Sequence, residues 1–181
     1  MSLLRRVFGI IKIDNSVFRE IDKDKSAIPQ GLIVAFLTAI ANALIAKKYL
    51  FSAGGLDVAL LILVFMWLFL NWYVLCIIIN FLGFKVFSDG KETNKFKNLL
   101  RLIGYSYSPE LIKFILLLSP QLIQAVSFGT FIWVIACQVL ATKMTFNFKS
   151  FWKTLGIVIL SYIIQIILVA IIILLIYSFL I

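Results

Sequence analysis

Between Val58 and Phe84 the chain carries no charged side chain, and a second uncharged run extends from Thr154 to Ile181. About 20 predominantly apolar residues cross the roughly 30 Å of bilayer hydrocarbon, at about 1.5 Å of helix rise per residue. Each run is therefore long enough to span a membrane, with length to spare for tilting. Three shorter apolar stretches lie at Ile28–Ala46, Leu102–Leu118 and Leu122–Ala141, the middle one interrupted by polar residues. Hydrophobic residues make up 63% of the chain and charged residues 14%, whereas a soluble domain carries about 25% charged residues. No apolar/polar alternation suggests a β-barrel. The sequence thus predicts an all-α, polytopic membrane protein. A segment at 1–27 holds a short amphipathic helix, and a bundle of five transmembrane helices follows over 28–181, with spans at about 28–46, 58–84, 102–118, 122–141 and 154–181.

Lysine and arginine give the bundle a direction, because cytoplasmic loops carry them in excess. Arg5, Arg6, Lys12, Arg19, Lys23 and Lys25 precede the first span; Lys85, Lys91, Lys95, Lys97 and Arg101 lie between the second and third; Lys143, Lys149 and Lys153 lie between the fourth and fifth. The opposite side has Lys47 and Lys48, with none in the Ser119-Pro120-Gln121 turn or at the C-terminus. The expected orientation is N-terminus cytoplasmic and C-terminus outside. Basic residues beside spans suit anionic lipid headgroups rather than nucleic acid, which needs a folded polar face.

The basic start is followed by IIKIDNSVFREIDKDKS, without an apolar h-region, so no cleavable signal peptide is expected. A helix beginning near Asp14, Asn15 or Ser16 would place Val17, Phe18 and Ile21 on one side and Arg19, Glu20, Asp22 and Lys23 on the other. Such a helix lies at a membrane surface or docks on a bundle.

Histidine is absent, which removes His-based triads, His-ligated zinc and haem, and the zincin motif. Cys76 and Cys137 lie within apolar runs and read as small buried residues. The sequence has no G-x-S-x-G, P-loop or C-x-x-C motif and no paired intramembrane aspartates, Asp57 and Asp89 falling at or outside the membrane edges. We expect no catalytic residue, no metal and no cofactor.

Two constellations stand out. Gly31, Ala35, Ala39 and Ala43 recur every fourth residue along the first span, beside Thr38 and Asn42, a spacing that lets helix backbones approach closely in lipid. This seam serves packing within the bundle or self-association into a homo-oligomer. The third span, RLIGYSYSPELIKFILLLSP, places Glu110 near the midplane with Lys113 one turn beyond, a pair that shares a helix face. An ionised group at that depth costs about 2.5–3.5 kcal/mol on insertion scales. Pro109 lacks an N–H and obstructs the Tyr105 carbonyl, so a kink or break is expected, with the freed carbonyls open to Ser106, Ser108 or water. The pair either fixes helix register or forms a polar binding site. Asn71, Asn80, Gln124, Gln138 and Gln165 are further polar groups in or near spans.

FREI at Phe18–Ile21, GYSYSP at Gly104–Pro109, and FIWVIACQVLATKMTFNF followed by FWKT occur in that order along the chain. In this order and spacing the sequence resembles the Yip domain family, the Rab/Ypt-interacting five-span membrane proteins, in its compact prokaryotic form. The resemblance implies a cytoplasmic N-terminus, no enzymatic activity, a shaping role for Gly104, Tyr105 and Pro109 in the third helix, and an accessory role toward other membrane proteins. Eukaryotic members associate with small GTPases. Their long polar N-terminal region and D-L-Y-G-P type motif are missing here, so GTPase binding is not expected to carry over. The lean loops fit a prokaryotic plasma membrane. The expected function is a non-enzymatic adaptor or scaffold among integral membrane proteins; the alternative is a small transporter or channel that uses Glu110 at a broken third helix.

Overall fold

Long apolar sequences without alternation satisfy their backbone hydrogen bonds internally only as helices, and the described residues form helices and turns throughout. The computed structural model describes residues 2–50, 58–87, 95–116 and 120–180. Asp57, Asp89, Lys91, Leu117, Leu118, Ser119 and Ile181 lie outside the described residues.

The elements are α1 (Leu3–Ile11), α2 (Asn15–Lys23), a 3₁₀ turn at Lys25–Ala27, α3 (Ile28–Leu50), α4 (Val58–Phe81) with a π-helical extension at Leu82–Val86, and α5 (Phe96–Ser106). A 3₁₀ stretch at Ser108–Ile112, α6 (Lys113–Leu116), a 3₁₀ turn at Pro120–Leu122, α7 (Ile123–Thr145) and α8 (Phe151–Leu180) complete the chain. Among the described residues, four helices are long and apolar enough to cross a membrane: Lys25–Lys47, Leu61–Val86, Ile123–Thr145 and Phe151–Leu175.

The stretch expected as the third span is broken at Pro109, as its missing N–H predicts. Pro109 sits at the start of the 3₁₀ turn, and the Ser108 hydroxyl donates to the Tyr105 carbonyl at 2.6 Å, occupying an acceptor that the proline leaves without an N–H. The Ser106 hydroxyl likewise donates to the Leu102 carbonyl at 2.8 Å. Gly104 abuts Gly31, and Glu110 bonds Asn42 further along both segments, so the segment from α5 through the 3₁₀ stretch runs parallel to α3, while Asn98 at its start bonds Asp22 of α2.

An N-terminal helix, α1, appears where the sequence pattern assigned none. Ser2 caps it, its side chain accepting from the Arg5 N–H at 3.5 Å. The chain then reverses through Ile13 in the left-handed region (φ 57°), with the Asp14 N–H donating back to the Gly9 carbonyl at 2.9 Å. Asp14 caps α2 by accepting from the Ser16 N–H at 2.8 Å. Val17, Phe18 and Ile21 are buried, and α2 packs on α5 and α7. Gly9 permits the tight α1–α2 approach, since a Cβ there would lie 2.5 Å from Val17. At the far end of α4, Gly83 accepts the Phe146 ring in the same way. The outward faces of α4, α7 and α8 are lined by exposed large hydrophobic residues such as Leu63, Phe128 and Ile166.

Candidate functional site

The small-residue seam begins at a point where two backbones touch. A Cβ on Gly31 would lie 2.9 Å from the Arg101 carbonyl oxygen, and one on Gly104 would lie 2.6 Å from the Gly31 carbonyl oxygen. Glycine is needed at both positions for α3 and α5 to come this close. Gly31, Ala35, Ala39 and Ala43 are all buried.

Further along the same interface, Asn42 on α3 meets Glu110 and Lys113. Lys113 Nζ is 3.1 Å from Glu110 Oε1 and donates to Asn42 Oδ1 at 2.9 Å. Asn42 Nδ2 donates to Glu110 Oε2 at 2.7 Å and to the Thr38 carbonyl at 2.9 Å. The three side chains close a ring in which each bonds the other two. Glu110 is 8% exposed and Lys113 6%. Such a ring meets the condition for burying opposite charges: mutual pairing, plus hydrogen bonds to the remaining atoms.

Glu110 and Asn42 also line a cavity of about 250 Å³, with Asn71, Trp72, Tyr107 and Gln165 among its other walls. Gln165 Nε2 donates to the Asn71 carbonyl at 2.7 Å, and the Tyr162 hydroxyl donates to Gln138 Oε1 at 2.9 Å. Of the polar residues read in or near spans, Asn71 and Gln165 therefore share the cavity with Glu110. Asn80 and Gln124 do not line it, and Gln124 is exposed.

At the N-terminal end of α3, a group that charge counting passes over ties the N-terminal helices down. Arg6 on α1 is 1% exposed. Its guanidinium donates to Glu20 Oε1 (Nη2, 3.1 Å), to Asp24 Oδ2, and to Gln30 Oε1 (Nη1, 2.9 Å). The Tyr105 hydroxyl donates to the same Gln30 oxygen at 2.7 Å. Glu20 belongs to FREI and Tyr105 to GYSYSP, so Arg6 and Gln30 join two sequence motifs that lie far apart in the chain. Burial opposes the Arg6 charge, but the acceptors around it, Asp24 foremost, outweigh burial and hold its pKa above the ordinary guanidinium value. Hydrogen bonds from Ser26 and then from Arg6 hold the Asp24 carboxyl well below the usual carboxylate range. The sequence signal for this latch is a carboxylate-rich helix following a basic segment, but residue type alone cannot single out Arg6 from Arg5.

Among the described residues no group of three or more Cys, Asp or Glu side chains is placed to hold a metal ion. No curated protein and no solved structure is detectably similar to the chain. A match to the Yip1 domain extends over residues 8–178, from within α1 to α8, and so takes in the buried ring and the latch's Glu20, Asp24, Gln30 and Tyr105, while Arg6 itself lies just before it. That extent, nearly the whole chain, makes this protein a member of the Yip1 domain family.

Proposed function

We propose that the protein is a non-enzymatic membrane scaffold that associates with other integral membrane proteins through its exposed apolar helix faces. The observation that carries this reading is the closed ring of Asn42, Glu110 and Lys113, in which each polar group is bonded to another within the fold. A site built to bind and release an ion would keep a ligand position open; this one is spent on holding α3 against the broken helix. In this reading Gly104, Tyr105 and Pro109 shape the third segment, and the seam of Gly31, Ala35, Ala39 and Ala43 packs within the bundle.

The chain crosses the bilayer five times, with residues 1–27 as a cytoplasmic segment and 28–181 as the membrane domain. The support is geometric: Gly83 and Phe146 bring the ends of α4 and α7 together, and α5–α6 runs alongside α3 between them. A third crossing by α5–α6 is what lets α7 return to that end. Leu4 and Phe8, exposed on α1 and one turn apart, fit a helix that also touches the membrane surface. The prokaryotic plasma membrane is the setting that the lean loops favour.

In-membrane cross-linking of the tagged protein in its native host, read by mass spectrometry, tests the scaffold. One or a few stoichiometric partners are expected, and only self-cross-links or none would count against it. The second reading, a small transporter, draws on the cavity beside Glu110. It requires that Glu110→Gln abolish a flux in proteoliposomes, whereas the scaffold reading expects no flux from either form.

A further inference from the structure

Between α2 and the C-terminal end of α7 lies a cavity of about 570 Å³ that neither the latch nor the buried ring enters. Arg19 and Lys23 from α2 and Lys143 from α7 line it together with Asn15, Asp22 and Asn147, while Leu140, Met144 and Phe148 supply an apolar wall. The apolar wall is built into the turn. Asn147 adopts the left-handed conformation (φ 52°), and the Phe148 N–H donates back to the Lys143 carbonyl at 3.0 Å. The Phe148 ring stacks on Phe146 at 5.6 Å between centroids and carries Lys153 Nζ at 4.8 Å on its face.

The charges in this cavity do not cancel. Asp22 accepts from Asn98 Nδ2 at 3.0 Å and faces the Arg101 charge, so its carboxylate is engaged on the α5 side. Among the described residues, none of Arg19, Lys23 and Lys143 forms an ion pair. Lys143 follows the apolar stretch ending at Ala141 by two residues, which sets the cations at the level where a bilayer's headgroups meet its hydrocarbon.

Three uncompensated cations above an apolar wall at a membrane edge call for one kind of ligand: a phosphate ester attached to a hydrocarbon chain. We propose that this cavity binds an anionic phospholipid, with the phosphate among Arg19, Lys23 and Lys143 and the upper acyl chain against Leu140, Met144 and Phe148. A free phosphate would leave the apolar wall uncovered, and a zwitterionic lipid would bring its own cation into a cationic site. The inference needs this end of the bundle to lie at a membrane edge; it does not depend on whether the protein is a scaffold.

The test is the melting temperature of the full chain, delipidated in a non-ionic detergent at low salt, on addition of phosphatidylglycerol, phosphatidylcholine or inorganic phosphate. Phosphatidylglycerol should raise it by about 3 °C or more, with phosphatidylcholine and phosphate giving less than about a third of that. The rise should be lost in Arg19→Gln/Lys23→Gln/Lys143→Gln but kept in Lys12→Gln/Lys25→Gln/Lys149→Gln, which removes the same charge at exposed positions outside the cavity. If the first triple variant does not fold, Lys23→Gln/Lys143→Gln serves in its place, with Lys143→Arg expected to retain the response. An equal response to phosphatidylcholine, an equal response to phosphate alone, or equal losses in the two triple variants would each overturn the proposal.

Discussion

A methyl group at Gly104 would press on the Gly31 carbonyl oxygen at 2.6 Å, whereas at Gly129 it would meet nothing within 4 Å. The obstacle at Gly104 is backbone, which cannot swing aside as a side-chain tip can. We expect Gly104→Ala to destabilise the protein by about 1–3 kcal/mol, the range for overpacking. Gly129→Ala should be neutral or stabilising by up to about 1 kcal/mol. Thermal melts in detergent compare the two directly. At the buried ring, Glu110→Gln leaves the Lys113 ammonium without its counter-charge, and breaking a buried pair from one side costs about 3–5 kcal/mol. Glu110→Gln/Lys113→Met removes both charges and should recover much of that loss. A double variant no more stable than the single one would show that the ring contributes something other than mutual neutralisation.

At the scale of the element, the Arg6 guanidinium adds a polar tie to the apolar packing that holds the N-terminal helices on the bundle. Arg6→Gln keeps some hydrogen bonding to Gln30 but loses the charge facing Glu20 and Asp24, so α1 and α2 should loosen while the bundle keeps its fold. Limited trypsin digestion should then cut faster at Lys12 and Lys25 without a comparable change in melting temperature. The latch also has a pH limit. Because the Asp24 carboxyl is held below its ordinary value in the folded state, its contribution is present above the unfolded pKa, about 3.9, and is lost as pH falls through the lowered one. A spin label on Leu4→Cys should therefore show an unchanged spectrum down to pH 5 and gain mobility only below about pH 4.

The elements differ in how much of this was legible beforehand. Apolar runs are local, so four membrane-length helices could be read from them, and Pro109 marked the break in the third segment because a missing N–H acts on its own turn. The Glu110–Lys113 pair is also local, at a helical spacing. Asn42 is not, being 68 residues from Glu110, and nothing in a single chain says which helix faces converge. Arg6 was counted only as one of the N-terminal basic residues, since charge counting registers side and number but not burial. The short helix α1 was missed because its buried side includes that arginine, which disguises the apolar periodicity of Val7 and Ile10.

For the molecule as a whole, the crossing number decides where the termini lie. Five crossings put them on opposite sides of the membrane and four would put them on the same side. Cysteine introduced at Leu4 or at Ser178, both exposed, should react with an impermeant maleimide from opposite faces of oriented vesicles. Labelling of both from one face would remove the third crossing.

The contacts between α3 and the broken segment also carry a consequence for biogenesis. Alone, a stretch bearing Glu110 and Lys113 is a poor candidate to leave the translocon for lipid, at about 2.5–3.5 kcal/mol for each charge near the bilayer centre. Its partners, Gly31 for the glycine contact and Asn42 for the charges, stand on a helix made earlier. Because synthesis proceeds from the N-terminus, α3 is already waiting in the bilayer as a polar docking strip when Glu110 emerges. On the five-crossing proposal, partitioning of the third segment is then a transfer from translocon to neighbouring helix rather than from water to oil, and the order of the helices along the chain becomes an order of insertion.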